Sequence, residues 1–280
     1  MKRWKEMPLM LALLAVCSAA FILYQSWRSR TLDVQPPEIT VPAGPLELSV
    51  QDDPEKLLQG LRAYDAKDGD VTPSLVVESV YGALAQRQFQ VTYAAFDQAG
   101  NVAKAQRAVL YTDYESPRFS LSAPLIFRPS GTLDIFSVLD ASDVFDGALT
   151  DRIKGTILSG EGQIYEPGEH VVQFRVTNSL GDTAYLTVPV LILETPDNAS
   201  IQLTQYLVYC KAGEPFDPAE YLDSWQAGTQ KLRLRGTNGT VAVNIDNPVD
   251  ESVPGIYCVE YTAESEQYHA RTRLIVVVEE

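Results

Sequence analysis

The sequence predicts an all-β protein of three tandem β-sandwiches that follow an N-terminal transmembrane helix. The 280-residue chain alternates apolar and polar residues with a period of two over most of its length after residue 30. Related motifs also recur along that part at intervals of about 80 residues. The first thirty residues differ, because they hold one long uncharged segment and carry a net charge of +4, whereas residues 31–280 carry −19.

The N-terminal segment has the features of a membrane anchor. Residues 8–24 contain no charged side chain, and at about 1.5 Å per residue they span about 25 Å, close to the thickness of a bilayer core. Tryptophans flank the segment, and three of the first five residues are basic. The positive-inside rule therefore predicts a cytoplasmic tail over residues 1–7, a transmembrane signal anchor over residues 8–27 and an extracellular remainder.

Two other interpretations of this segment stay open. Ser18 and Ala20 are small enough for signal-peptidase cleavage before Phe21, which would release the rest of the chain. Cys17 follows the residues Leu-Ala-Val, which resemble a lipoprotein attachment motif, although Val16 departs from it. All three interpretations place the remaining chain outside the cytoplasm.

Three segments show the clearest alternation and are predicted to be core strands. In the first, Phe89, Val91 and Tyr93 share one face, and residues 172–176 and 257–263 repeat the pattern. Such alternation is typical of an antiparallel sheet with one buried face. The segments lie 81 and 87 residues apart, measured between their matching valines.

Turn motifs recur with the strands. The segment that begins at Asp65 (DAKDGDVT) matches the segment that begins at Asp143 (DVFDGALT), 78 residues later. Junctions that contain proline separate the repeats and give predicted domains over residues 36–115, 116–194 and 196–280. Because each junction is only a few residues long, we expect adjacent domains to be semi-rigidly linked.

Residues 63–72 (AYDAKDGDVT) followed by residues 91–101 (VTYAAFDQAGN) resemble the Ig-like repeats of bacterial surface proteins, which are similar to hyalin repeats. The resemblance is strong in the first predicted domain, moderate in the second and weaker in the third. It implies tandem immunoglobulin-like sandwiches on an exported protein, with a spacer or binding role rather than catalysis. It does not identify a ligand, because one sandwich scaffold supports many functions.

One acidic turn is a candidate cation site. Asp65, Asp68 and Asp70 are closely spaced and precede Asp97 in the first repeat, and calcium prefers such oxygen ligands. The alternative is that these residues only form turns, with side chains that bond local backbone amides. The second repeat keeps part of the motif, and the third lacks it. The sequence leaves the choice open and assigns no metal ligand.

The cysteines and histidines suggest no catalytic site. Cys210 and Cys258 lie in the exported part, where disulfides persist, so the sequence allows either a bridge or two free thiols. His170 and His269 each stand apart from any recognisable nucleophile motif. We therefore predict no catalytic residue and no cofactor.

A basic stripe is the third candidate feature. Lys231, Arg233 and Arg235 alternate with leucines, so a strand would place the three cations on one face. The face could contact an anionic envelope polymer, or it could protect an edge strand from pairing. Both interpretations stay open, and the acidic net charge of the chain argues against a nucleic-acid partner.

These observations predict a non-enzymatic, single-pass membrane protein at the bacterial cell envelope. It would act as an extracellular Ig-like stalk or binding module, with the membrane and an envelope polymer or surface protein as partners. The alternative is an accessory or sensor subunit whose ectodomain docks a larger membrane complex. Ligand and oligomeric state are not determined by the sequence.

Overall fold

The chain has one N-terminal helix, and its strands follow the helix. The computed structural model of the protein describes residues 7–31, 33–85, 87–128, 134–158, 166–195, 197–233, 242–264 and 267–280. Helix α1, Met7–Thr31, contains a 19-residue apolar span, Met10–Arg28, with a mean hydropathy of 1.7. The helix is long and apolar enough to cross a membrane, as the sequence predicts.

The first repeat forms two sheets. A three-stranded antiparallel sheet has the order β1-β3-β4, and a four-stranded sheet has the order β2-β7-β6-β5. Its strands are β1 (Glu38–Thr40), β2 (Leu46–Leu48), β3 (Arg62–Asp65), β4 (Gly69–Asp70), β5 (Val76–Ala85), β6 (Gln88–Phe96) and β7 (Val102–Tyr111).

The second and third repeats have the same two-sheet plan, with the orders β11-β10-β8 and β12-β13-β14-β9, then β15-β17-β18 and β16-β21-β20-β19. The second repeat has β8 (Arg118–Leu121), β9 (Ile126–Phe127), β10 (Leu139–Asp143), β11 (Gly147–Ala148), β12 (Lys154–Ile157), β13 (Gly168–Thr177) and β14 (Thr183–Ile192). The third has β15 (Ala199–Leu203), β16 (Leu207–Lys211), β17 (Leu222–Ala227), β18 (Gln230–Arg233), β19 (Asn244–Asp246), β20 (Gly255–Glu264) and β21 (His269–Glu279).

The same crossover recurs in each repeat. The first strand pairs within the smaller sheet, and the second strand crosses to the larger sheet and pairs in parallel with the last strand. The other strand pairs are antiparallel. This repeated topology confirms the predicted all-β fold of three tandem Ig-like sandwiches.

The alternation predicted for the core strands is confirmed. Val91, Val176 and Val259 are each 0% exposed, and the aromatic rings of Tyr93 and Tyr261 are equally buried. Each buried side chain of this size contributes about 1.5–3 kcal/mol of transfer free energy to folding. The two faces of each long strand therefore fix its register.

The chain divides into two compact units, Met1–Asp113 and Tyr114–Glu280. The second unit contains the second and third repeats, and a single hydrophobic cluster runs through both of them. The unit boundary lies two residues before the predicted domain boundary at 115, so Tyr114 belongs with the second repeat.

Candidate functional site

Three carboxylates meet at one end of the first repeat. Oxygen atoms of Asp33, Asp65 and Asp97 all lie within 4.8 Å of one another. Asp65 and Asp97 are only 2% and 8% exposed, and Asp33 is partly buried. We call these three residues the carboxylate cluster.

The local topology explains this convergence. Strands β1 and β3 are antiparallel with Glu38 opposite Tyr64, so the segment that precedes β1 runs beside the end of β3. Asp33 lies in that segment, and Asp65 is the last residue of β3. Asp97 directly follows β6 and opens the turn to β7. The three carboxylates therefore come from three separate chain segments.

Backbone amides hold the Asp65 carboxylate. Its Oδ1 atom accepts hydrogen bonds from the amides of Lys67 at 2.7 Å and Asp68 at 2.9 Å. The bond from Asp68, followed by that from Lys67, lowers the pKa of Asp65. The carboxylate is therefore ionised at neutral pH.

Asn101 joins the turn to the segment that follows α1. Its backbone and side-chain nitrogens donate to the two oxygens of Asp97, each at 2.7 Å. Its Nδ2 atom also lies 3.2 Å from the carbonyl oxygen of Asp33 and 3.3 Å from that of Gln35. One amide side chain thus connects the turn between β6 and β7 to the segment that follows the helix.

The carboxylate cluster has the donor chemistry of a hard-cation site. Lys67 Nζ lies 3.7 Å from Asp33 Oδ1, and this single cation does not balance three carboxylates. Carboxylate oxygens suit calcium or magnesium rather than zinc. Asp33, Asp65 and Asp97 are the residues that could hold such an ion, with carbonyl oxygens or water needed to complete its shell.

Two of the four predicted acidic residues lie outside the cluster. Asp68 Oδ2 accepts a hydrogen bond from the amide of Gln98 at 2.7 Å, and Asp70 Oδ1 accepts one from the amide of Thr72 at 3.0 Å. The Thr72 hydroxyl and amide lower the pKa of Asp70. These contacts fit the turn interpretation for Asp68 and Asp70.

The second repeat builds the same end with different side chains. Asn178, which corresponds to Asp97, donates from Nδ2 to Asp143 Oδ2 and to the hydroxyl oxygen of Tyr114, each at 2.7 Å. That hydroxyl donates to Asp182 Oδ2 at 2.8 Å. Burial, followed by the bond to Asp182, raises the pKa of Tyr114, so the phenol keeps its proton. We call these four residues the amide network.

A salt bridge reinforces the amide network. Asp146 Oδ2 lies 2.7 Å from Arg152 NH1 and accepts a bond from the amide of Ser179, also at 2.7 Å. Burial alone would raise the pKa of Asp146, but the bonds from Ser179 and Arg152 outweigh burial and the pKa is lowered. At this end of the second repeat, hydrogen-bond donors and a guanidinium therefore face the carboxylates.

The third repeat places basic groups at the corresponding end. His269 lies 3.5 Å from Asp197 and 3.4 Å from Glu264, measured between ring nitrogens and carboxylate oxygens. Arg271 Nε lies 3.6 Å from Asp197 Oδ2. His269 thus lies at a strand end beside two carboxylates.

The open question of a disulfide is answered by the sheet order. Cys210 and Cys258 are both free thiols. Strand β21 lies between β16 and β20, with Val278 opposite Cys210 and Ile275 opposite Cys258. Strands two positions apart are separated by about 9.6 Å, which exceeds the Cα separation a disulfide allows. Burial raises the pKa of Cys258 to about 11, so it stays a thiol.

The basic stripe is described only in part. Lys231 is exposed and pairs with Gln226, and Arg233 is the last residue of β18. Strand β18 is an edge strand of its sheet, as the edge-guard interpretation requires. Arg235 lies outside the described residues.

His170, the other histidine, has Nε2 2.9 Å from the carbonyl oxygen of Glu166.

Sequence reasoning missed two residues of these sites. Asp33 precedes the first predicted domain and lies far in sequence from the acidic turn at Asp65, so the sequence does not indicate that it joins the carboxylate cluster. The sequence predicts Tyr114 at the end of the first domain, whereas in the structure it closes the end of the second repeat. For Asp33, the available signal was its position as the first acidic residue after the helix.

Comparisons with known proteins give no closer identification. No protein family and no curated protein matches the chain. Among solved structures, mouse cadherin-23 EC22–24 is 13% identical, with 87% of this chain and 98% of that chain covered and a TM-score of 0.21. The protocadherin γB4 extracellular domain is also 13% identical, with 87% and 49% covered and a TM-score of 0.21.

A third solved structure has an equally low score. The M60 catalytic domain with CBM51-1 and CBM51-2 of Clostridium perfringens ZmpB is 13% identical, with 88% of this chain and 31% of that chain covered and a TM-score of 0.21. The chain thus spans about a third and about half of the ZmpB and protocadherin chains. At such TM-scores, nothing that those proteins bind or do is transferred to this chain.

Proposed function

We propose that the protein is a membrane-anchored, non-catalytic stalk or binding module of the bacterial cell envelope, with residues 31–280 outside the cell. The observation that carries the proposal is helix α1. Its apolar span, Met10–Arg28, is 0% buried within the protein, so it makes no core contact in the described structure. An apolar helix of this length gains most by lying in a bilayer.

The charge distribution supports the orientation. The chain before the apolar span is basic, and residues 31–280 carry a net charge of −19. Basic residues stay on the cytoplasmic side of a membrane segment. The three β-sandwiches therefore lie on the opposite side from the N-terminus.

A stalk requires neighbouring domains that do not move freely, and the second unit has such an arrangement. The hydroxyl of Tyr209 in the third repeat lies 3.0 Å from the amide nitrogen of Phe119 and 3.3 Å from its carbonyl oxygen. Arg118 also stacks on the Tyr209 ring, with its guanidinium carbon 4.8 Å from the ring centroid. These contacts anchor the third repeat against β8 of the second.

Ion pairs complete that interface. Arg273 is only 11% exposed and lies 2.8 Å from Glu169 of the second repeat and 2.9 Å from Glu260 of its own sheet. A second pair joins Arg118 to Glu279 at 2.8 Å. Glu169 and both members of the Arg118–Glu279 pair are partly exposed to solvent, and such pairs contribute at most about 1 kcal/mol each. They therefore add modestly to the contacts of Tyr209 with β8.

Membrane fractionation combined with external protease tests the proposal. We expect the intact chain in the membrane fraction, and we expect protease added to whole cells to remove the sandwiches and leave a fragment that contains α1. A cytoplasmic marker protein must survive the same digestion. A Leu14→Arg variant should lose membrane retention, because an arginine at the centre of a membrane helix costs about 2.5–3.5 kcal/mol.

The mature N-terminus separates the remaining alternatives. A chain that begins at Phe21 would refute retention, and a lipid-modified Cys17 would replace the helix anchor by a lipid anchor. A chain found in the cytoplasm and resistant to external protease would overturn the proposal.

A further inference from the structure

The outward face of the smaller sheet in the first repeat carries an unusual set of side chains. Tyr64 is 63% exposed on β3, between Glu38 on β1 and Asp70 on β4 as its cross-strand neighbours. Arg62, two residues before Tyr64, faces the same way. An aromatic ring therefore has hydrogen-bonding groups on both sides.

An open concavity lies beside this ring. Strand β4 has only two residues, after which the amide of Val71 bonds to the carbonyl oxygen of Ala63 at 3.0 Å and the chain turns away. The sheet therefore ends next to Tyr64 and leaves a recess. Its lining residues are Leu61, Arg62, Ala63, Tyr64, Asp70 and Thr72.

The polar groups of this recess are held in place or available for a ligand. Asp70 Oδ1 is fixed by the amide of Thr72 at 3.0 Å. Among the described residues, Arg62 takes part in no ion pair within 4.0 Å. The recess therefore offers a fixed carboxylate acceptor, a guanidinium donor and an aromatic face.

The fold does not require these side chains. The second repeat keeps the same strand pairing, with Ser142 opposite Arg118 and Ala148. At the positions of Arg62, Tyr64 and Asp70 it has Asp140, Ser142 and Ala148, so the aromatic ring and both partners are absent there. The set is thus a property of the first repeat and not of the sandwich.

We propose that this recess binds a neutral sugar ring of an envelope polysaccharide, with the ring stacked on Tyr64 and its hydroxyls bonded to Asp70 and Arg62. Two carboxylates and one guanidinium surround the ring, so an anionic polymer would be repelled and a neutral polyhydroxyl ligand is favoured. One small stacked ring gives weak binding, with a Kd of about 1 mM. The inference rests on the proposed export of the sandwiches, which would place the recess among envelope polymers.

The test uses the full chain in a detergent whose headgroup is not a sugar. Saturation-transfer NMR with chitotetraose and with maltotetraose should show transfer to at least one of them. We expect Tyr64→Ala to raise the Kd for the sugar at least tenfold. Tyr64→Phe keeps the ring, so its Kd should stay within about threefold of the wild-type value. The matched control is Tyr185→Ala in the second repeat, since Tyr185 is 58% exposed on an outward sheet face and lies outside the recess.

Equal saturation transfer in the wild type and in Tyr64→Ala would overturn the proposal. The absence of transfer to either sugar would also overturn it, and this is the result expected if the face binds a protein instead. An unchanged melting temperature shows that the Tyr64→Ala variant is folded. Export is measured separately by external protease, so failure of sugar binding and failure of the proposed function give different results.

Discussion

The matching ends of the first and second repeats have the same backbone plan, but the central side chain is a carboxylate in the first repeat and a neutral amide in the second. In both, the aspartate that ends the third strand accepts hydrogen bonds from two backbone amides. Asp65 accepts them from residues 67 and 68, and Asp143 from residues 145 and 146. In both, matching backbone bonds close the turn before the last strand, among them the bond from the amide of Asp97 to the carbonyl oxygen of Asn101 and the bond from the amide of Asn178 to that of Asp182.

The difference lies in an exchange of acid and amide. The first repeat has Asp97 with Asn101, and the second has Asn178 with Asp182. The exchange places a carboxylate at the centre of the first site and two N–H donors at the centre of the second. One repeat therefore has an excess of negative charge, whereas the other satisfies its carboxylates with its own hydrogen-bond donors.

The largest effect is expected for Asn178→Asp. Asn178 is 4% exposed, and its Nδ2 atom lies 2.7 Å from Asp143 Oδ2. The variant removes two donors and places a buried carboxylate against the partly buried carboxylate of Asp143, so we expect a loss of about 3 kcal/mol or more in unfolding free energy at pH 7. Chemical denaturation of the full chain measures it.

The pH dependence identifies the cause. Burial and the neighbouring carboxylate would raise the pKa of the new carboxyl, so the cost should shrink as the pH falls towards 4 and the group is protonated. The matched control is Asn244→Asp on an exposed edge strand, which should change stability by less than about 0.5 kcal/mol. A pH-independent loss would point to altered packing instead.

Tyr114→Phe tests the phenol in the amide network. The variant keeps the buried ring but removes the hydroxyl that joins Asn178 to Asp182. We expect a loss of about 1–3 kcal/mol, because the Asp182 carboxylate loses the phenol donor and Asn178 loses one of the two acceptors of its Nδ2 atom. Tyr185→Phe at an exposed position is the control. Equal stability of the two variants would show that the Tyr114 hydroxyl does not stabilise the amide network.

Calcium distinguishes the two interpretations of the acidic turn. If Asp33, Asp65 and Asp97 share a cation, calcium at tenfold excess over Kd should add about 1.4 kcal/mol to the stability of the first unit. The second unit should not respond, because the amide network supplies donors where the first repeat has a carboxylate. If the residues only form turns, the melting temperatures measured by scanning calorimetry in calcium and in EDTA will be the same.

The smallest predicted effect concerns a polar group buried in the third repeat. Thr272 is 0% exposed, and its hydroxyl has no hydrogen-bond partner among the described residues. The first repeat has Ala105 at this position, opposite Tyr93 as Thr272 is opposite Tyr261. We expect Thr272→Val to stabilise the chain by about 1 kcal/mol, measured as a shift in the denaturation midpoint. A destabilised variant would indicate a bound water.

Much of the fold follows from local pattern. Period-two alternation around Val91, Val172 and Val259 predicts the core strands, since each strand has one buried face. The recurring turn at Asp65 and Asp143 predicts the repeat. The shared core of the second and third repeats could not be predicted, because contacts such as Tyr209 with Phe119 depend on how two folded domains meet.

The candidate site was predictable only where its residues are close in sequence. Asp65 and Asp97 belong to the turn motifs and do converge. Asp33 joins them because β1 and β3 pair antiparallel, a long-range pairing that spacing along the chain does not reveal. Asp68 and Asp70 share the motif, but backbone amides turn their carboxylates elsewhere.

The exchange made in the opposite direction, Asp97→Asn, tests the central comparison most directly. It removes one of three clustered carboxylates and supplies N–H donors that can bond to Asp65, as Asn178 bonds to Asp143. The Nδ2 atom of Asn101 loses its acceptor on residue 97 but keeps the carbonyl oxygens of Asp33 and Gln35 as acceptors. In EDTA at pH 7, chemical denaturation of the full chain should show Asp97→Asn within about 1 kcal/mol of the wild type or more stable, against the loss of about 3 kcal/mol for Asn178→Asp. Equal losses for the two variants would contradict the account, because the two ends would then have the same electrostatic requirement.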